Sequence, residues 1–191
     1  EIDPEDPKVQ RLVETVKERE FEGYAYDGAE ASFEILARRA LSEIPNYYRL
    51  NSFRVIDERR WNARNELVTI SEATIKAVVG GNELMTVAEG NGPVNALDRA
   101  LREVLIPLYP ELADLRLVDY RVRILTPLDA TGAVTRVLIE SADHQSNRWC
   151  TVGVSANIID ASYAALRDSI IYKLYRDGAS VPRQDSTNSS A

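Results

Sequence analysis

Cysteine and histidine are nearly absent: the 191 residues contain one of each. A single cysteine excludes an intrachain disulfide, and Cys150 falls in the alternating stretch RWCTVGV, where a half-buried strand position explains it better than reactivity does. The lone histidine, His144, lies in SADHQSNR, a polar turn between two strands, with no second His or Cys nearby to build a metal site or a Ser-His-Asp arrangement. Long hydrophobic runs are missing as well. No stretch approaches the roughly 20 apolar residues that cross a bilayer, and the acidic start EIDPEDPK is unlike a signal peptide, so a cytoplasmic chain with no membrane partner is expected. Positive charge is the minority sign, 23 Lys+Arg against 30 Asp+Glu for a net charge of −7, and it forms no run. That balance argues against a sequence-independent hold on nucleic acid.

What the chain does have is periodicity. Its length suits one sizeable core, or a domain with a smaller appendage, and is short for a complete multi-domain enzyme. From Pro7 to about Leu41 the spacing is helical: Val9, Leu12, Val13 and Val16, then Ala31, Ile35, Leu36 and Ala40, with glycines between that break one helix from the next. Residues 1–49, ending in a connector around Pro45, are therefore expected to form a helical linker subdomain. Asp27 and Glu30, the one dense acidic pair there, are better explained as solvated helix-cap residues than as catalytic acids. Residues 178–191, rich in small polar side chains, predict a disordered tail.

Between them, over 50–177, one order occurs twice. SFRVID, EATIKAVVG and ELMTVAE have strand alternation and precede a helix from Pro93 with apolar Val94, Leu97, Leu101, Val104, Leu105 and Leu108. LVDYRVRIL, TRVLIES and RWCTVGV then precede a helix carrying Ile159, Tyr163, Leu166, Ile170 and Leu174. The letters repeat too: sliding TVAEGNGPVNALDRALR onto TVGVSANIIDASYAALR matches Thr86 to Thr151, Val87 to Val152, Ala96 to Ala161, Leu101 to Leu166 and Arg102 to Arg167. The expected fold class is thus α+β, an internally duplicated βββα unit with pseudo-two-fold character and an N-terminal helical appendage. A domain of this kind exposes faces suited to a homodimer.

The turn GNGPVN at the first strand-to-helix junction invites three readings. A phosphate loop needs G-x-x-x-x-G-K-[ST] and a dinucleotide fingerprint needs G-x-G-x-x-G, and both fail here. A structural reading gives Gly90 and Gly92 positive φ and puts Pro93 at the first helical position. A binding reading uses the same turn to hold a small carboxylate on backbone N–H groups at the helix start, with no Lys or Arg close in sequence to suit a doubly charged phosphate.

GNGPVNALD, LVDYRVRIL, VLIES and TVGVSANIIDAS together resemble the C-terminal regulatory domain of the 2-isopropylmalate synthase and citramalate synthase family. GYAYDGAEASFEIL, from Gly23 to Leu36, is similar to the helical segment joining barrel to regulatory domain in the citramalate synthase branch. The resemblance implies a domain that is itself catalytically inactive and holds no cofactor. The intact acyltransferase would condense acetyl-CoA with a 2-oxo acid in a barrel that carries a divalent metal. It also implies an effector, isoleucine in the citramalate branch or leucine in the isopropylmalate branch.

Carried over by position, the resemblance assigns the effector's charged end to Gly90, Asn91 and Gly92, with Val94 and Asn95 just inside the helix. It assigns the aliphatic pocket to Leu117, Tyr120 and Ile124, gives Val154 a backbone role toward the ammonium, and adds Val134 and Val137 to the pocket wall. Without it, these strand residues would be assigned to the core. Asp119 is expected to face away from them and to pair with an arginine.

Overall fold

A computed structural model describes residues 6–126 and 132–182. The elements follow the duplicated order: helices α1 (Pro7–Glu22) and α2 (Glu30–Ala40); strands β1 (Arg49–Trp61), β2 (Leu67–Val79) and β3 (Asn82–Gly90); helix α3 (Pro93–Leu105); strands β4 (Arg116–Ile124), β5 (Thr135–Ala142) and β6 (Arg148–Ser155); helix α4 (Ile158–Arg176). Each triplet of strands is an antiparallel sheet, β1-β2-β3 and β4-β5-β6. The fold is α+β with a repeated βββα unit, as the periodicity implies.

The described residues gather into two compact units. One joins the chain up to Pro45 to Asp114–Asp177, and the other joins Asn46–Ala113 to residues 178–182. Most of the tail expected from residue 178 lies outside the described residues.

In the unit built on the first repeat, α3 covers one face of its sheet. The buried side chains of Ala96, Leu97, Ala100, Leu101, Val104 and Leu105 meet a strand-β2 face of Ala73, Ile75, Ala77 and Val79. Alternating small and branched residues on β2 let the helix approach closely, which concentrates burial on the leucines. Strands β1 and β2 pair from Arg49↔Val78 out to Trp61↔Leu67, whereas β3 meets β2 only between Ser71 and Val79. The β1–β2 hairpin therefore projects beyond the three-stranded sheet. Its tip is closed by Asn62, whose Oδ1 accepts from the N–H groups of Arg64 and Glu66.

In the other unit, α4 packs on the face of β4-β5-β6 that carries Val137, Ile139 and Thr151, with the Thr151 hydroxyl donating to Ala165 O at 2.9 Å. A Cβ at Gly153 would lie 1.9 Å from Ala161 O, so only glycine lets the helix come this close. Helix α2 lies against β6 and α4. Strand β6 is an edge of its sheet, and α2 covers it: Glu30 accepts from Cys150 N–H and Ser32 from Val152 N–H, each at 3.0 Å, while the Ser32 hydroxyl donates to Asp168 at 3.0 Å. Edge amides that would otherwise template pairing are thereby occupied. Glu30 is thus exposed in the first turn of α2, as expected from sequence, and is in addition a ligand of the strand edge. Helix α1, by contrast, has no buried residue, and its N-cap is Asp6, which accepts from Lys8 N–H.

At the far end of α4 a charged cluster is buried. Lys173, 3% exposed, lies 2.6 Å from Asp177 and 3.0 Å from Asp114, and Arg176 reaches Asp143, itself 1% exposed. Burial alone would raise the Asp143 carboxyl, but donors from Asn147 and Arg176 outweigh it and hold it at about 2. His144 occupies the β5–β6 turn and bonds Asp114 through Nδ1.

Candidate functional site

The glycine turn sits where β3 gives way to α3. Neither glycine adopts the left-handed φ expected of it. Gly92 is the N-cap, extended at φ 177° and ψ 168°, a conformation open to any residue. The need for glycine lies instead at Gly90, where a Cβ would come within 2.4 Å of Ala96 N: the strand end runs directly against the first helical turn. Pro93 takes the start of the helix as expected. Asn95 turns its Oδ1 back to accept from Asn91 N–H at 3.1 Å, so it braces the turn.

The two copies of this junction are capped differently. In the second, Asn157 is the N-cap and its side chain accepts from Ile159 N–H at 2.8 Å. In the first, Gly92 stands at the equivalent place, and no side chain caps α3. Beside Gly92 an open cleft of about 360 Å³ is lined by Asp57, Arg59, Thr69 and Ser71 from the hairpin together with Asn91 and Pro93. Nothing lies within 4 Å of a Cβ built on Gly92. The hairpin residues were missed by sequence reasoning. The only signal for them is register: Asp57, Ser71 and Gly90 form one cross-strand row.

The apolar candidates belong to the other unit. Strict alternation would place Leu117 and Tyr120 on opposite faces, but a bulge between Leu117 and Asp119 restores them to one. Leu117 pairs with Ser141, Tyr120 with Ile139, Val122 with Val137 and Ile124 with Thr135, all on the α4 side of the sheet. The Tyr120 hydroxyl is 2.8 Å from Ser162 Oγ on α4. Val137 is fully buried, whereas Ile124 is 58% and Val122 43% exposed. An apolar strip along edge strand β4 is therefore open to a ligand or a partner, and it includes Val122, which the sequence reading left out although alternation puts it between Tyr120 and Ile124.

Val154 pairs with Arg136, on the opposite face from this strip. Val134 lies just before β5, its N–H donating to Thr126 Oγ1 and its carbonyl accepting from Leu125, each at 2.8 Å. Asp119 bonds Arg121 at 2.9 Å and takes no place in the strip, as expected. Cys150 is half-buried in β6, and burial pushes its thiol pKa up, which disfavours the reactive thiolate. Among the described residues no group of three or more His, Cys, Asp or Glu is placed to hold a metal ion. Nor is any described helix long and apolar enough to cross a membrane.

Known proteins are similar to this chain in sequence. The (R)-citramalate synthase of Geobacter sulfurreducens is 51% identical over 175 residues, 92% of this chain and 32% of that protein. The (R)-citramalate synthase of Aquifex aeolicus is 47% identical over 93% of this chain and 33% of its own length. A 2-isopropylmalate synthase of Aquifex aeolicus is more distant, 32% identical over 61% of this chain and 21% of its own. The chain spans about a third of the length of the citramalate synthases it matches. A family model described as the LeuA allosteric (dimerisation) domain matches residues 27–174, from the α1–α2 turn through nearly all of α4, and the chain belongs to that family.

Proposed function

We propose that this chain is the regulatory domain of a cytoplasmic citramalate synthase, forming a homodimer and binding isoleucine as feedback inhibitor. The observation that carries the binding reading is the unequal pair of junctions: one helix start is capped by its own Asn157, and its counterpart at Gly92 has no side-chain cap and opens onto a cleft. A carboxylate suits such a helix start, where oriented N–H groups and the helix dipole favour one negative charge. Gly90, Asn91, Gly92, Val94 and Asn95 are assigned to the charged end. Leu117, Tyr120 and Ile124, with Val134 and Val137, are assigned to the aliphatic end, and the Val154 backbone to the ammonium. Each set is tested by variants within its own unit.

The dimer reading rests on exposed apolar surface. The face of the first sheet turned away from α3 presents Ile56, Val87 and Met85 to solvent, a patch of the kind a second copy covers. In the intact enzyme, condensing acetyl-CoA with a 2-oxo acid at a divalent metal in the barrel, an effector inhibits only by binding one state better than another. The coupling is typically about 1 to 3 kcal/mol.

Isoleucine is favoured over leucine because the more similar relatives are named citramalate synthases. The two effectors differ by the position of one methyl, about 1 to 3 kcal/mol in a tight apolar pocket. Calorimetric titration with isoleucine, leucine and valine decides: binding heat largest for isoleucine is expected, a leucine preference moves the chain to the isopropylmalate branch, and no heat from any of them removes the sensor reading.

A further inference from the structure

The α1–α2 turn, α2, β6 and α4 enclose a small cavity to which neither the glycine turn nor the β4 strip contributes. Its lining is unusual for a chain of net charge −7. Arg19 from α1, Arg39 from α2 and Arg167 from α4 line it, with one carboxylate, Asp168. That carboxylate is already engaged, accepting from Ser32 Oγ and from Arg167, each at 3.0 Å. The Arg19 guanidinium stacks over the Tyr24 ring, 4.9 Å from its centroid, which fixes it at the cavity wall. Tyr26 completes the lining, and burial pushes its hydroxyl pKa up to about 12, so it stays a neutral donor at any ordinary pH.

We propose that this cavity binds a single small oxyanion group, a carboxylate or a phosphate, through Arg19, Arg39 and Arg167, and that its occupancy fastens the α1–α2 segment to α4. Guanidinium forks match the planar or trigonal edges of such groups, and a recess whose arginines outnumber its carboxylates concentrates anions. The volume, about 30 Å³, exceeds the roughly 10 to 15 Å³ that one buried water needs. The cavity is far smaller than the cleft of about 360 Å³ beside Gly92 and shares no residue with it, which separates this site from the proposed effector site. Three helices contribute one arginine each, so an anion bridging them ties α1, otherwise without a buried side chain, to the rest of its unit.

Thermal unfolding of the full chain in sodium acetate and in sodium phosphate, each against sodium chloride at matched ionic strength, tests the proposal. The expected result is a midpoint raised by several degrees in one or both oxyanions at tens of millimolar, with slower amide exchange in α1. Acetate alone acting identifies a carboxylate, and phosphate alone a phosphate group. Arg39→Gln, with its midpoint in chloride as the fold control, should weaken the oxyanion effect at least tenfold in concentration, as should Arg19→Gln. No shift beyond chloride, or a shift unchanged in both variants, overturns the proposal.

Discussion

Gly92 and Gly90 stand two residues apart and separate binding from folding. At Gly92 the backbone is extended and a Cβ meets nothing within 4 Å, so Gly92→Ala should leave the unfolding midpoint within about 0.5 kcal/mol of the parent while abolishing isoleucine heat. Retained heat would remove the turn from the site. At Gly90 a Cβ would press on Ala96 N at 2.4 Å, so Gly90→Ala should cost about 1 to 3 kcal/mol by urea unfolding. Asp143 makes a third residue-scale case. Its folded carboxyl lies at about 2, below the roughly 3.9 of an unfolded aspartate. The associated stabilisation is complete above pH 4 or so and is lost as pH falls through the folded value, a loss of about 2 kcal/mol. Urea midpoints from pH 6 to pH 2 should show that fall, and Asp143→Asn should flatten part of it; an identical pH profile in the variant would refute the assignment.

Elements owe their positions to a few such contacts. The hydroxyl of Ser32 joins α2 to β6 and α4 at once, so Ser32→Ala should cost about 1 to 3 kcal/mol, because it strands Val152 N–H and one bond to Asp168. Native-state hydrogen exchange should show the Val152 amide opening faster while Tyr120 to Ile124 stay as in the parent; unchanged protection at Val152 would mean α2 is held some other way. Strand periodicity and the helical stripes of α3 were legible in the sequence because burial on one face demands them. The bulge that brings Leu117 onto the face of Tyr120 was not legible, since one extra residue in a strand changes the face without changing the composition.

For the whole molecule, the proposed homodimer predicts a sedimenting species of twice the chain mass. Val87→Lys, on the face of the first sheet away from α3, should shift it toward monomer with little change in the unfolding midpoint, because Val87 is 45% exposed in the single chain. A dimer undiminished by a charge there would relocate the interface. The appendage shows where reading by zones ends. Residues 1–49 look like a separate helical piece because their helical spacing gives way to strand alternation from residue 50 onward, yet α2 buries Ala31, Ser32 and Ile35 and covers the edge of a strand more than a hundred positions later.

The sequence by itself determined the duplicated βββα order, the buried face of α3 and the family, because local periodicity and a repeated string of residues survive without any knowledge of long-range contacts. Only the tertiary structure decided which glycine is required by close packing. It also decided which of the two junctions caps itself, that Val122 and Ile124 stay uncovered on the α4 side of β4, and that three arginines distant in the chain line one cavity. Those outcomes depend on register and on helix-to-sheet distance, which join residues far apart in sequence and leave no local pattern to read.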